Sequence, residues 1–388
     1  MAKMIGEIQP DLVFGFWKVW FPVPNTPDDI SSEMLNWLGN GKNVTLEQAS
    51  GVIKESGYYY GKLEESILAI KKETPDTLVS GAILVQALGS VERNSETGEV
   101  LAAEDTWKMA LDPQKWNISY KGTPATKEGF QKIWAEPRGW TKPGEDYDYR
   151  KARAYFPDIT NLDFQKLLLS WAYKQIDSGA DAIWIDGLHG QELFLYLMTG
   201  DINHPAVKES FEASAKIVDE IHKYGESKGR RVYVGSWSLG FIELDKGFSN
   251  IPYSPPKVDF VTVSPTNKYN EVLGKKLDEA RWKTIVSNTR NIYGNIPVFA
   301  ILNWDFDKSE MVMFSQKLSS AEQKNLLITY DNSFAKMGIN FIYPVHGGFM
   351  GNSEITTKLA FGKYRNYDSL APEFDTYETI KELAQNKK

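Results

Sequence analysis

Apolar runs of strand length alternate along the chain with segments of helical periodicity. The runs lie at 12–21, 78–88, 153–158, 182–187, 231–237, 259–264, 297–305 and 340–346. Such alternation is typical of a parallel sheet wrapped by helices, and eight strands is the number that closes a (β/α)8 barrel. We therefore predict one α/β domain over residues 1–388, with the architecture of a TIM barrel.

Several of the intervening helices have readable ends. Asn161 is a candidate N-cap, and Gly179 follows the last turn of the same helix. Pro205 suits a first helical turn, where its missing N–H costs nothing. Ser320 and Gln323 have the spacing of a capping box, which predicts a helix that begins there.

Two long segments interrupt the strand–helix alternation. One, residues 92–151, is an insertion between the second and third predicted strands, and the other, residues 22–76, lies between the first and second. Both follow a strand, so we expect both at the C-terminal face, where barrel active sites are built. The insertion at residues 92–151 carries four tryptophans: Trp107, Trp116, Trp134 and Trp140.

Composition excludes several classes of function. The net charge of -7 argues against a nucleic-acid partner, which requires a basic face. No apolar run approaches the ~20 residues of a membrane span. The absence of cysteine excludes disulfides, zinc–thiolate sites and thiol nucleophiles. The four histidines have no paired spacing, so we expect no metal and no cofactor.

Twelve tryptophans, 19 tyrosines and no cysteine suit a secreted or thermophilic carbohydrate enzyme. The first residues contain no apolar signal segment. We expect an extracellular protein whose secretion signal is absent from this sequence, in preference to a cytoplasmic one. The expected partner is a carbohydrate substrate, and we infer no protein partner.

The fourth predicted strand is apolar until it ends in Asp186. A carboxylate at this position projects at the catalytic rim of a barrel, whereas the strand interior serves packing. Asp186 is therefore the first candidate for a catalytic residue. The alternative is a structural aspartate that caps the following loop.

The segment 153–187 resembles glycoside hydrolase barrels, and most closely the endo-α-1,4-polygalactosaminidase-like group, glycoside hydrolase family 114. The shared pattern is Y-x-x-D-I-T-N followed by G-x-D-x-x-x-x-D. It is carried here by Tyr155, Asp158, Ile159, Thr160, Asn161, Gly179, Asp181 and Asp186. More distantly, the segment is similar to α-glycosidases with an aspartate at the end of strand four. The resemblance implies a barrel fold and hydrolysis of glycosidic bonds.

Glycoside hydrolysis needs a second carboxyl group. The sixth predicted strand ends without one, although the larger α-glycosidases carry their acid/base there. The seventh strand supplies Asp305, and the family 114-like barrels have an acidic residue near this point. We expect the acid to be Asp305 or, failing that, Glu243 after the fifth strand. Competitors for the role are Glu92 and Asp245.

Aromatic and polar residues near strand ends are the candidate substrate ligands. Sugar rings stack their C–H faces on aromatic side chains, and polar groups fix their orientation. The candidate rings are Trp17, Trp20, Tyr155, Trp237 and Trp304. The candidate polar groups are Gln86, Asp158, His189, Asn303 and His346, of which Asp158 has an equal claim as a helix cap.

The pattern favours a glycosidase that cleaves O-glycosidic, α-linked bonds in a polysaccharide or oligosaccharide with a pair of carboxylates. One alternative is a barrel that binds glycans without cleaving them. The other is a phosphate-dependent barrel enzyme of the aldolase or isomerase type, for which Gly347-Gly348 would be the phosphate loop. We prefer a tight turn for that pair of glycines.

Overall fold

The computed structural model describes residues 2–15, 22–39, 43–138, 141, 144, 146–237, 251–264, 277–302, 310–347 and 367–387. Their centre is a sheet of seven parallel strands whose spatial order equals their order in the chain. The strands are β1 (Leu12–Phe14), β2 (Leu78–Leu84), β3 (Ala182–Asp186), β4 (Tyr233–Trp237), β5 (Phe260–Val263), β6 (Val298–Ala300) and β7 (Asn340–Phe341).

The helices lie between and beyond these strands. They are α1 (Ala2–Ile8), α2 (Ser32–Gly39), α3 (Leu46–Ser56), α4 (Tyr60–Glu73), α5 (Ala103–Lys108), α6 (Lys127–Ala135), α7 (Leu162–Asp177), α8 (Gly190–Thr199), α9 (Pro205–Ser227), α10 (Glu279–Tyr293), α11 (Glu310–Lys317), α12 (Ser320–Lys336) and α13 (Tyr377–Gln385). A membrane-spanning candidate is absent from the described helices, each being too short or too polar.

The predicted third strand, 153–158, is wrong as a member of this sheet, because β2 pairs directly with β3. Ala154–Tyr155 pairs antiparallel with Leu88–Gly89 outside the sheet. The backbone of Phe156 is hydrogen-bonded by the Gln131 side chain of α6, at 2.7 and 2.8 Å. These bonds satisfy the groups that a sheet neighbour would otherwise bind. The described residues therefore show a mixed α/β fold with seven parallel strands, and an eight-stranded closed barrel stays a prediction.

One face of the sheet is filled by aromatic side chains. The ring of Trp184 on β3 meets Phe14 edge-on, and its Nε1 donates to Thr262 Oγ1 at 2.8 Å. The bond connects β3 to β5 across Gly235 of the intervening strand β4. A Cβ at Gly235 would come within 2.1 Å of the Phe260 ring. Glycine at 235 thus leaves room for rings from the neighbouring strands. This face is called the inner face below.

The other face of the sheet packs against helices. On β2, a Cβ at Gly81 would lie 2.3 Å from Gln175 Oε1 of α7, and Gln175 also bonds both backbone groups of Ala82. Because side chains alternate between faces, Ser80, Ala82 and Leu84 belong to the inner face. The in-register partners of Ala82 and Leu84 on β3 are Trp184 and Asp186.

Helix ends test the capping predictions. Asn161 caps α7, since its side chain accepts from the amides of Asp163 and Phe164, which confirms that prediction. The capping box of α12 is formed by Ser319 and Glu322, so the predicted pair is wrong by one residue. Ser319 has extended backbone angles, φ -68° and ψ 159°, which an N-cap requires, whereas Ser320 is already helical.

The segment 92–151 contains α5, α6 and short antiparallel pairs. Its hairpin, Ser119–Tyr120 with Thr123–Pro124, contacts α8, which follows the carboxyl end of β3. Trp116 Nε1 donates to Glu209 in the second turn of α9 at 2.9 Å. These contacts tie the segment to the elements that follow β3, while its placement over the carboxyl face stays a prediction.

Candidate functional site

Asp186 is the last residue of β3 and is 5% exposed. Its Oδ1 accepts a hydrogen bond from Gln86 Nε2 at 3.1 Å. Gln86 stands two residues beyond Leu84, so by alternation it lies on the inner face with Asp186. The backbone ladder continues to this point, since Val85 N donates to Asp186 O at 3.0 Å. The carboxyl ends of two neighbouring strands therefore hold one carboxyl group in place.

Gly187 follows Asp186 in the left-handed region, with φ +71°. A Cβ there would come within 2.9 Å of Gln86 Cδ. Only glycine adopts this angle and this approach without strain. The chain can therefore turn away immediately after the carboxylate and leave space for the amide that holds it.

Trp237 and Ser264 extend the site to the next two strands. Gly235 pairs with Trp184 and Ser236 with Ile185, so the same register continued sets Trp237 beside Asp186. Trp237 is 9% exposed, and its ring lies 6.3 Å from that of Trp184 on the inner face. Trp237 pairs in turn with Thr262, and Ser264 is two residues beyond Thr262 on the same face.

The side chain of His189 is directed into the protein interior and not toward the predicted mouth of the barrel. It is buried, its Nε2 lies 2.6 Å from the Tyr293 hydroxyl, and its Nδ1 lies 3.5 Å from Glu192 Oε1. Glu192 is itself fully buried and accepts from Ser214 Oγ at 2.6 Å. This arrangement gives the imidazole a structural environment. Its predicted contact with a sugar stays untested.

Asp158 is the centre of a buried polar network. Its Oδ1 accepts from the Thr160 amide and hydroxyl and from Gln191 Nε2, at 2.6 to 3.0 Å. Its Oδ2 pairs with Lys115 at 3.0 Å. With four donors on two oxygens, the carboxylate joins the start of α7 to α8 and to the segment 92–151. These hydrogen bonds favour a structural role for Asp158 over a role in substrate binding.

Tyr155 is fully buried and donates its hydroxyl to the Tyr149 carbonyl at 2.7 Å. Its ring meets Trp107 edge-on, and Trp107 stacks on Tyr149 at 5.0 Å. Burial raises the pKa of Tyr155. These contacts give both rings a packing role, and a substrate contact of Tyr155 stays a prediction.

Several predicted site residues lie outside the described residues: Trp17, Trp20, Glu243, Asp245, Asn303, Trp304 and Asp305. The backbone of His346 pairs with Asp368 in a short antiparallel strand. The competitor Glu92 is buried, and its Oε1 accepts from the Gly89 amide at 2.9 Å. Across the described ranges, no three acidic or histidine side chains are grouped as a metal would require.

Two residues of this region were not predicted from the sequence. Ser264 was missed because the sixth predicted strand ends without a carboxylate. Strand alternation from Thr262 would have pointed to it. Glu192 was missed because a buried carboxylate inside a helix has no signature in one sequence.

No family model matches this chain, and no curated protein matches it. Solved structures do. The glycoside hydrolase domain of PelA from Pseudomonas aeruginosa is 12% identical, with 84% of this chain and 92% of that chain covered, at a TM-score of 0.38. Ega3 from Aspergillus fumigatus, solved in complex with galactosamine, is 12% identical over 72% of this chain and 78% of that one, with a TM-score of 0.35.

A third similar structure is the cyclic alpha-maltosyl-(1→6)-maltose hydrolase from Arthrobacter globiformis. It is 11% identical, with 99% of this chain and 71% of that chain covered, at a TM-score of 0.46. Glycoside hydrolases are thus among the structures to which this chain is similar. Similarity this distant does not identify a function, which has to be argued from the site.

Proposed function

We propose that this protein is a glycoside hydrolase that cleaves α-linked O-glycosidic bonds in a polysaccharide, with Asp186 as the ionised carboxylate that acts as nucleophile or base. The observation that carries the proposal is the position of Asp186. It is a nearly buried carboxyl group at the carboxyl end of a parallel strand, on the inner face, held by the Gln86 amide. Strand ends of this kind supply the catalytic groups of barrel enzymes.

The surroundings of Asp186 suit a sugar. The indole of Trp237 offers an aromatic surface at the next strand end, and aromatic rings bind the C–H faces of sugar rings. The second carboxyl group of the mechanism would be Asp305 or Glu243, which are outside the described residues. It would protonate the leaving oxygen while Asp186 attacks the anomeric carbon or activates water.

The test is hydrolysis of three polymers: α-1,4-linked galactosamine, α-1,4-glucan and β-1,4-glucan as the linkage control. Reducing ends are measured with the wild type and with Asp186→Asn, which keeps the shape of the side chain and removes its charge. We expect release from one α-linked polymer by the wild type only. Binding of a polymer without release would identify a glycan-binding protein, and release from the β-linked polymer alone would refute the α linkage. An extracellular location is part of the same proposal and rests on composition alone.

A further inference from the structure

Two buried polar atoms lie at the carboxyl ends of β4 and β5. They are the Nε1 of Trp237 and the Oγ of Ser264, in side chains that are 9% and 1% exposed. Within the described part of the chain neither atom has a hydrogen-bond partner. A buried donor or hydroxyl without a partner destabilises a fold, and most such groups in proteins are satisfied. Each therefore needs an explanation.

An unpartnered polar atom alone does not mark a site, because other parts of the described structure contain such atoms as well. Trp282 Nε1 in α10 and Ser369 Oγ before α13 are also buried without a partner among the described residues. Trp282, however, lies 4.7 Å from Phe334 at an interplanar angle of 76°, the T-shaped arrangement in which an N–H can meet a ring face. Trp237 lies at 32° to Trp184 with 6.3 Å between the ring centroids, so it lacks that geometry with its neighbour.

What distinguishes Trp237 and Ser264 is where they lie. The register of β3, β4 and β5 puts both on the inner face, at the strand ends that also carry Asp186. Thr262, one step deeper on that face, already accepts from Trp184 Nε1 at 2.8 Å. Thr262 is thus satisfied by the protein, whereas Trp237 Nε1 and Ser264 Oγ, nearer the carboxyl ends of their strands, have no partner among the described residues.

We infer that Trp237 Nε1 and Ser264 Oγ bind hydroxyl groups of the sugar ring that sits against Asp186. This inference rests on the proposed function and adds two specificity-determining residues to it. The indole N–H can only donate, so it takes a hydroxyl oxygen as acceptor. The serine hydroxyl can donate to or accept from a second hydroxyl. The pair selects a ring that presents both groups.

The test uses two site variants, Trp237→Phe and Ser264→Ala, and two matched controls, Trp282→Phe and Ser369→Ala. Each control removes the same atoms from a buried group elsewhere that has no hydrogen-bond partner among the described residues. The value of kcat/KM is measured on the polymer that the wild type cleaves. The rise in Tm caused by maltohexaose or by a galactosamine oligosaccharide is measured beside it.

We expect each site variant to lose about tenfold in kcat/KM, the scale of one neutral hydrogen bond, and to lose most of the oligosaccharide-induced rise in Tm. The controls should stay within about twofold of the wild type, and their Tm without sugar should match that of the site variants. Site variants that keep the kcat/KM and the Tm rise of the wild type overturn the inference, and so do controls that lose as much as the site variants.

The two readouts separate this inference from the proposed function. If the wild type binds an oligosaccharide but cleaves no polymer, the hydrolase proposal fails. The hydroxyl contacts are then still judged by the Tm rise. If the wild type cleaves a polymer and the site variants do so equally well, the inference alone fails. If it neither binds nor cleaves any of them, both fail.

Discussion

The two ends of the parallel sheet use aspartates differently. At the amino end, Asp181 stands immediately before β3. Its amide donates to the Val79 carbonyl at 2.8 Å, and its Oδ2 accepts from the Val79 amide at 2.9 Å. Its carboxylate also pairs with Lys71 at 2.8 Å. This aspartate therefore fastens the start of β3 to β2.

Asp259 repeats the arrangement immediately before β5. It bonds the Val234 carbonyl at 2.7 Å and the Val234 amide at 2.8 Å, and so fastens β5 to β4. Its charge is paired with His222 and Arg231, both at 2.8 Å. Asp186 at the carboxyl end accepts a hydrogen bond from the Gln86 amide. The amino-end aspartates join neighbouring strands, and the catalytic role that we propose for Asp186 belongs to the opposite end of the sheet.

The largest effect is expected from a substitution of Asp186. We expect Asp186→Asn to lower kcat at least about a hundredfold, because the reaction loses its ionised carboxylate. The Tm should stay close to that of the wild type. Steady-state kinetics on the cleaved polymer, with thermal unfolding beside it, makes the measurement. A variant that retains more than about a tenth of the wild-type rate contradicts the assignment.

The reverse pattern is expected at the amino end. Asp259→Asn should lower the free energy of unfolding by about 1–3 kcal/mol, since it breaks charge-assisted bonds to His222 and Arg231. Its kcat should be unchanged. Urea unfolding at neutral pH measures the loss, with Asp177→Asn as control. The Asp177 side chain pairs with Lys228 but is 42% exposed, so its loss should stay below about 1 kcal/mol. Equal losses in the two variants would contradict the prediction.

A substitution of Gly187 tests whether the position of Gln86 at the carboxyl end matters for activity. Gly187→Ala should destabilise the fold by about 1–2 kcal/mol through its positive φ, and should lower kcat/KM several-fold by displacing Gln86. Gly200→Ala is the matched control. Gly200 has φ +68°, but a Cβ there meets nothing within 4 Å, so the variant should lose stability and keep its rate. If both variants lose rate equally, the contact with Gln86 has no functional role.

The smallest effect is a pH dependence of stability. Burial by itself raises the pKa of Asp259, but hydrogen bonds from His222, Val234 and Arg231 outweigh it and hold the pKa below the ordinary value of 3.8. A lowered folded-state pKa stabilises the fold above the unfolded value, and this contribution is lost as the pH falls through the folded pKa. The stability gap between wild type and Asp259→Asn should therefore narrow below about pH 4. Urea unfolding from pH 7 to pH 3 checks this prediction. A difference in stability between the two proteins that widens below about pH 4 would refute it.

Much of the sheet could be predicted because its strands are short apolar runs beside clear helix signals. The predicted strand 182–187 contains the observed β3, Ala182–Asp186, and Asn161 was identified as a cap from its position alone. The failure at 153–158 has a tertiary cause. Its residues have strand character, but Ala154–Tyr155 pairs with Leu88–Gly89 outside the sheet, and the Gln131 side chain bonds the backbone of Phe156.

The place of Asp186 at the end of a strand was predictable from the sequence, and its catalytic role stays a prediction. The environment of an aspartate was not predictable where contacts with distant residues determine it. Asp158 and Asp181 belong to the same sequence pattern as Asp186, yet Lys115 and Lys71 pair with them and give them structural environments. The capping box of α12 shows the same limit. Ser319 with Glu322 and Ser320 with Gln323 have equal spacing, and the backbone angles and reciprocal hydrogen bonds of the first pair separate them.

Asp181 and Asp259 also determine how amide protons exchange with solvent at the amino end of the sheet. The amides of Val79 and Val234 donate to the carboxylates of Asp181 and Asp259, so their protons exchange only when these hydrogen bonds open. Their hydrogen–deuterium exchange thus reports the local opening of the β2–β3 and β4–β5 pairs separately. Two protons distant in the chain would reveal whether this edge opens as one cooperative unit or strand by strand.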